Sequence, residues 1–296
     1  MRTLIVGCGY VGTALAALLR GQGHAVSGLR RSAEGAEALK AEGIEPIVAD
    51  ITRPEELSRI PAVFDWVVNT VSSSKGGAEE YRAVYLEGMR NLVEWLGASP
   101  PRKFVYTSST SVYPQTDGSQ VKESSAAEPS SDTGRTLVAA ENLLLDAFKT
   151  KSFPAVILRA AGIYGPDRGH LFQQFLRDEA VVNGRGERII NMIHRDDLAG
   201  CIMAALKNGR PGEIYNAVDD EPTPQVHFLR WLSETLGKNM PPFVPAESAP
   251  QGKRAATHKR VLNRKIKMEL GYQFRYPTFR QGYTAEIQRL QDAGKL

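Results

Sequence analysis

Cysteine is nearly absent: Cys8 and Cys201 are the only two in 296 residues. They lie far apart and match no metal-ligand spacing, so neither a disulfide framework nor a zinc site is expected, and no metal is assigned. No apolar run approaches the ~20 residues needed to cross a bilayer, and no signal-peptide pattern precedes the first strand-like segment. The expected compartment is therefore the cytoplasm, with no membrane partner. A strong charge imbalance is also lacking. Thirty-seven basic residues against 33 acidic ones leave a net charge of +4, and the isoelectric point is near 9.0. Nucleic-acid binding would want a basic stripe. The densest candidate is KRAATHKRVLNRKIK (253–267), where Val261, Leu262 and Ile266 break the run like buried positions. It reads as a solvated surface, and nucleic acid is not an expected partner.

What the chain does have is an ordinary globular composition, 42% hydrophobic and 24% charged, with enough length for a substantial core. Short apolar runs rich in Val and Ile recur as RTLIVG, HAVSGL, EPIVAD, FDWVVNTV, KFVYTSS and FPAVILR. Each reads as a buried parallel strand. Between most of them lie stretches of helical period such as TALAALLRGQG and YRAVYLEGMRNLVEWLG. The alternation predicts an α/β fold, a doubly wound parallel sheet whose ligands sit at the carboxyl ends of its strands. The pattern loosens after Gly165. Residues 1–165 and 191–220 are expected to form the nucleotide-binding domain, and 166–190 with 221–296 a smaller, loop- and proline-rich substrate lobe, with PPFVPAESAP (241–250) as an extended connector.

The first chemical signal is GCGYVG (7–12), placed between the strand RTLIV and the helix TALAALL. In that context Gly7 makes the tight turn, Gly9 lets a pyrophosphate approach the backbone, and Gly12 lets helix pack on sheet. The helix N-terminus then meets the phosphate charge. The second signal closes the next strand. A site that prefers NAD places an acid there to hold the adenosine ribose, whereas this chain offers Arg30 and Arg31. Guanidinium groups pair with a 2′-phosphate, so the expected cofactor is NADP, with NAD as the alternative. The third is VADIT (48–52), which sets Asp50 at a strand end where it could accept from the adenine amino group or simply cap a helix.

With these residues in place the chain resembles the extended and atypical short-chain dehydrogenases/reductases, the NAD(P)-dependent epimerase/dehydratase family. TLIVGCGYVG, GHAVSGLRRS, VADIT, NLVEWL, FVYTSSTSVYP, LRAAGIYGP, IHRDDLAG, EIYNAVDDEP and LNRKIKMELGY fall in the family's order over nearly the whole length. The resemblance implies a Rossmann-like fold. It extends the cofactor contacts to Tyr10, Val11, Ile51, Thr70, Val71 and Ser108, and to Gly162 and Ile163, where the family packs backbone against the nicotinamide. It also implies that Ser109 hydrogen-bonds the substrate oxygen. The glycine pattern is one residue shorter than the family's usual turn, and Arg30 stands where many members carry an acid.

A larger departure lies in SDTGRTLVAAENLLL (131–145), a helix opening on polar residues and running into an apolar stripe at Leu137, Ala140, Leu144 and Phe148. The family carries Tyr-x-x-x-Lys here, the lysine lowering the tyrosine pKa so that it can move a proton. Counting back from Glu141 puts Thr133 and Leu137 at those positions, and no tyrosine occurs between Tyr113 and Tyr164. Thr133 and Leu137 lie four positions apart, hence on one helix face, and are expected to face the cleft. Tyr85 also replaces the asparagine of the family's proton relay. Tyr164 is the nearest candidate for a substitute acid; the alternative is that it packs under the C-terminal lobe. His194, Asp196 and Asp197 are expected to be structural, an aspartate capping the following helix. The arginine that clamps a nucleotide-sugar pyrophosphate in many members is Ile190 here, with Arg188 as a substitute on the same strand face.

Two functions follow. One is an oxidoreductase or epimerase/dehydratase-like enzyme acting on a small molecule, a sugar or nucleotide-sugar among the options, with Ser109 orienting the substrate oxygen and Tyr164 or water supplying the proton. The other is a non-catalytic NADP(H)-binding sensor or partner protein. A homodimer is left open beside a monomer.

Overall fold

The computed structural model describes residues 1–73, 77–245 and 258–296. Its centre is a seven-stranded parallel sheet of β1 (Arg2–Val6), β2 (Ala25–Arg30), β3 (Glu45–Val48), β4 (Trp66–Asn69), β5 (Lys103–Ser109), β6 (Ala155–Ala160) and β7 (Ile214–Ala217), in the order β7-β6-β5-β4-β1-β2-β3. The doubly wound sheet expected from the sequence is thus present. Strand order reverses between β1 and β4, and the crevice outside the carboxyl ends at such a reversal is where ligands bind in open α/β sheets.

The helices of seven residues or more are α1 (Tyr10–Gly21), α2 (Ala33–Ala41), α3 (Gly88–Gly97), α4 (Asp132–Lys151), α5 (His170–Leu176), α6 (Arg195–Asn208), α7 (Gln225–Leu236), α8 (Arg264–Leu270) and α9 (Phe279–Asp292). Successive strand residues point to opposite faces. Ile5, Val68, Val105 and Val156 join Leu15 of α1 and Ile202 of α6 in one core cluster. Leu4, Val67, Phe104 and Ile157 join Leu92 of α3 and Leu144 of α4 in another. Burial on both faces is why the strands read as continuous apolar runs.

The C-terminal segments are more regular than their proline content suggests. A third cluster of Tyr164, Phe172, Phe228, Phe279 and Tyr283 is packed among α5, α7 and α9. The prolines mark helix starts: Pro224 is the N-cap of α7, and Pro277 directly precedes Thr278, whose hydroxyl and Gln281 form a capping box on α9. Of the connector, residues 246–250 lie outside the described residues; Phe243–Val244 is a short strand paired with Val182–Asn183. Residues 253–257 of the basic run also lie outside them. The remainder is not a solvated surface throughout: Lys259 is 3%, Val261 1% and Ile266 0% exposed. The cause is a short strand, Arg260–Val261, that pairs with Gln120–Val121 and draws the run into the molecule.

Helix α4 begins at Ser131, whose hydroxyl accepts from Gly134 N. It is tied to the sheet by a buried ion pair. Glu141 accepts from Arg159 of β6, at 2.6 Å from Nη2 to Oε2 and 3.1 Å from Nε to Oε1, and from Ser108 Oγ at 2.6 Å. Burial works against the Arg159 charge, but the bonds to Glu141 hold its guanidinium above the ordinary arginine range. Removing one member of such a pair leaves a charge without compensation, at about 3–5 kcal/mol. Glu141→Gln, whose amide oxygen still accepts, should therefore lower the unfolding free energy by roughly 3 kcal/mol in a urea titration. A change below ~1 kcal/mol would show that Arg159 finds other compensation.

Candidate active site

The loop after β1 is built as the glycine pattern requires. Gly7 has φ +73, and a Cβ on it would lie 2.6 Å from Val71 Cα. Its N–H and that of Cys8 donate to Leu29 O at 3.1 and 3.2 Å, fixing the turn to the end of β2. At Gly12 a Cβ would sit 3.0 Å from Ile5 Cγ2, so glycine sets the close approach of α1 to the sheet. Gly9 differs, since a Cβ there would meet only Arg30 Nη1 at 3.4 Å and Gly7 O at 3.7 Å. Gly9 is the N-cap of α1 and offers no side-chain bond, so the first amides of the helix have no side-chain partner at their cap. Val11 is buried, and the Tyr10 hydroxyl donates to Pro166 O at 3.0 Å. What these two residues could present to a phosphate is backbone.

Beside this loop lies a cavity of about 510 Å³ lined by Gly7, Gly9, Arg30, Arg31, Asp50, Ile51 and Val71 of the expected residues. Ser32, Glu34, Gly35, Ser72 and Val84 also line it and were not anticipated from the sequence. A signal for the first was there: Ser32 follows the arginines and precedes a helical run, and its hydroxyl caps α2 by accepting from Gly35 N at 3.2 Å. Arg30 lies between Gly9 and Gly35, and its Nε is buried without a hydrogen-bond partner. An orphaned guanidinium donor beside a helix start fits a bound anion. Asp50 Oδ1 is taken by Thr52 N and Oγ1 at 2.9 and 2.8 Å, so it combines the turn role with a place on the cavity wall.

Two expected contacts are corrected by the direction of their hydroxyls. Thr70 Oγ1 donates to Gly7 O at 3.1 Å, tying β4 to β1. Ser108 Oγ is turned to Glu141. Each hydroxyl spends its proton on an internal acceptor, and neither residue lines the cavity beside the glycine loop. Ser109 is half-buried, and its Oγ accepts from Ser111 N at 3.2 Å, capping the short turn Thr110–Val112. The capping bond uses the oxygen as acceptor and leaves the hydroxyl proton as a donor. Gly162 and Ile163 are half-buried, in a short strand parallel to Met192–His194.

Tyr164 belongs to the third core cluster. It is 1% exposed, stacks on Tyr283 with ring centroids 4.3 Å apart, and its hydroxyl lies against Gly282 of α9. Burial pushes that phenol far above the tyrosine range. A substitute acid at Tyr164 is therefore not supported; the structure packs it against Tyr283 and Gly282 of α9. Thr133 is half-buried, but Leu137 is 2% exposed and belongs to the core cluster that holds Val112 and Tyr113. The expectation that both face the cleft is corrected for Leu137, because apolar neighbours draw the side chain in. Tyr85 stacks on Tyr81 at 4.2 Å, and its hydroxyl accepts from Ser73 N at 3.3 Å.

His194, not an aspartate, caps α6: its Nδ1 accepts from Asp196 N at 3.2 Å, and burial lowers its affinity for a proton. Asp197 is fully buried and accepts from Tyr272 Oη and Arg275 N at 2.7 Å and from Tyr276 N at 2.8 Å. Its role is structural, as expected, but it docks the C-terminal chain and does not cap. Arg188 is half-buried beside the strand Ile189–Ile190, where burial lowers its pKa. Among the described residues no cluster of His, Cys, Asp or Glu could hold a metal, and no helix is long and apolar enough to cross a membrane.

A Cβ at Gly9 would make only ordinary van der Waals contacts, which makes the loop testable. Gly9→Val should leave thermal unfolding nearly unchanged while placing a branched side chain where phosphates would approach, cutting dinucleotide affinity at least tenfold by calorimetry. Normal binding by the variant would place the cofactor elsewhere.

Comparison with known proteins agrees with this geometry. The family model described as "NAD dependent epimerase/dehydratase family" matches residues 3–217. Protein YeeZ of Escherichia coli is 29% identical over 282 residues, covering 93% of this chain and 96% of that protein. A conserved protein of unknown function from Silicibacter pomeroyi superposes with TM-score 0.81 at 28% identity, covering 97% of this chain and 98% of that one. The dTDP-glucose 4,6-dehydratase of Streptomyces venezuelae, solved with NAD and TYD bound, shares the fold at TM-score 0.84 and 20% identity, over 99% and 97% of the two chains. The match over residues 3–217, together with the glycine loop and the parallel sheet behind it, shows that the chain belongs to the NAD-dependent epimerase/dehydratase family.

Proposed function

We propose that this protein is an NADP(H)-dependent oxidoreductase that acts on a small carbonyl or hydroxyl compound without the family's Tyr-x-x-x-Lys pair. The observation that carries the cofactor choice is Arg30. It closes the cavity between Gly9 and the start of α2, with a buried and unbonded Nε where an acidic ribose ligand would otherwise stand. A carboxylate there would repel a 2′-phosphate; a guanidinium bonds it. Gly7, Gly9 and the amides at the start of α1 would hold the pyrophosphate, Arg30 and Arg31 the 2′-phosphate, and Asp50, Ile51 and Val71 the adenine side. When bound, the cofactor supplies or accepts a hydride. Ser109 donates its hydroxyl proton to the substrate oxygen and so orients it. Cytoplasmic location and a substrate lobe formed by residues 166–190 and 221–296 belong to the same reading.

A nucleotide-sugar substrate is less well supported than a smaller one, because Ile190 stands where the diphosphate-binding arginine would be. A second reading, an NADP(H)-binding partner protein without catalysis, draws on the burial of Leu137 in the core.

The cofactor assignment predicts that NADPH binds more tightly than NADH by at least ~1.4 kcal/mol, or tenfold. Titration calorimetry with both measures it, and Arg30→Ala should erase most of the difference while sparing NADH. Equal affinities in the wild type would remove the NADP assignment.

A further inference from the structure

Among the described residues two Arg or Lys side chains are buried, Arg159 and Lys259, and only Arg159 is matched by a carboxylate. Lys259 is 3% exposed, and among the described residues its ammonium meets no carboxylate. It donates to Tyr113 O at 2.6 Å and lies 6.0 Å from the Tyr113 ring centroid. An ammonium has three donors, and a single carbonyl does little to repay its loss of water. Buried ionisable groups with little compensation cluster at reaction sites.

The position of Lys259 gives that cost a use. Tyr113 closes the short turn that Ser109 opens. On its other flank the Lys259 backbone is clamped by Asn191, whose Nδ2 donates to Lys259 O at 3.0 Å and whose Oδ1 accepts from Val261 N at 2.9 Å. The Asn191 carbonyl in turn accepts from Gly162 N at 3.0 Å. Lys259 is thus held between the Ser109 turn and the Gly162–Ile163 segment, the two stretches that the family places around its reacting centre.

We propose that Lys259 supplies the cation missing from α4, presenting its ammonium to the oxygen of a small carbonyl substrate that Ser109 orients, and giving up the proton in the reductive direction. The proposal rests on the NADP(H) reading above. A hydride passes from the reduced nicotinamide to the carbonyl carbon, the π pair moves to oxygen, and oxygen takes one proton from Lys259. The nicotinamide is oxidised, the carbonyl becomes an alcohol, and the neutral amine regains its proton from water.

Burial pulls the Lys259 amine down to about 8, and no charged neighbour contributes to the shift. The ionisable groups linked to it are Tyr113, which it bonds, Arg159, which lies over the Tyr113 ring, and Glu123, whose carbonyl accepts from Arg159; His258 and Arg260 flank it in sequence, and Arg188 precedes Ile189, whose N–H His258 accepts. Arg159 is already matched by Glu141, Glu123 accepts from Asn216 N, and His258 Nδ1 accepts from Ile189 N. The ammonium form exists below its pKa, so donation should fade as pH rises through about 8.

The first test is competitive acetylation of the whole wild-type protein with acetic anhydride across a pH series, read by mass spectrometry. Lys259 should label with a midpoint near 8, against the ordinary lysine value of ~10.4. A Lys259 that stays unlabelled while surface lysines react is sealed in the interior, and that result overturns the proposal. The second test uses Lys259→Met and Lys259→Arg, with NADPH affinity measured by calorimetry. Reduction of a panel of small aldehydes, ketones and 2-oxo acids should fall at least ~100-fold in Lys259→Met, with NADPH affinity within about twofold of wild type. Lys259→Arg keeps the charge but holds its proton too tightly, and should lose the alkaline limb of the pH profile. Wild-type rates in Lys259→Met overturn the proposal, as does a wild type that binds NADPH but reduces nothing in the panel. A wild type that binds no NADPH overturns the cofactor reading and this proposal together; NADPH binding with an unlabelled Lys259 overturns this proposal alone.

Discussion

The bidentate bond between Glu141 and Arg159 fixes the geometry on which the Ser109 turn and the C-terminal chain depend. Both side chains are almost completely buried, at 2% and 5% exposure. Glu141 also accepts from Ser108, so the last turn of β5 is held from α4, one residue before Ser109. Arg159 continues the chain of contacts by lying 4.8 Å over the Tyr113 ring. The Tyr113 hydroxyl donates to Asn216 Oδ1 at 2.8 Å, and Asn216 Nδ2 donates to Leu262 O at 3.0 Å, three residues beyond Lys259. One connected network therefore joins α4, three strands and the C-terminal chain. Such a network is satisfied as a unit, and removing one member strands the others.

This arrangement holds α4 in place by contacts that a proton-transfer pair need not share. The helix is anchored by Glu141, by its Ser131 cap and by Ala140 and Leu144 in the core, none of which takes part in proton transfer. Thr133 and Leu137 could change without loosening those anchors. Leu137 lies in the core beside Val112 and Tyr113, so its neighbourhood is apolar. A lysine returned to that position would need its own desolvation compensated, at several kcal/mol for an ion without a partner. Reinstating the pair by two substitutions is thus disfavoured by packing as well as by chemistry.

Much of the glycine loop was legible in the sequence because its determinants are largely local. The strand–loop–helix of residues 2–21 carries much of its own logic, in the positive φ at Gly7 and the packing of Gly12 on Ile5, while Val71 and Arg30 close the loop from outside it. Arg30 could be placed because it ends the next strand. Side-chain direction was not legible. Ser108 turns to Glu141, 33 positions away, and Thr70 to Gly7, 63 positions away. Which acceptor is nearest is a property of the assembled sheet, not of either motif. Tyr164 failed as an acid for the same reason, since Gly282 and Tyr283 reach it only when α9 packs.

Lys259 is the sharpest case. In sequence it sits in a basic run, and a lysine in such a run is by default solvated. Its burial follows from two backbone pairings, of Arg260 with Gln120 and of Val261 with Val121, and from the Asn191 clamp. Those bonds are made by main chain and amide groups, so they would hold any residue at position 259. An apolar residue there would fill the space without leaving an ammonium to compensate. The ammonium contributes one bond, to the Tyr113 carbonyl, and leaves its charge without a carboxylate among the described residues, the condition under which a buried charge is available to a ligand.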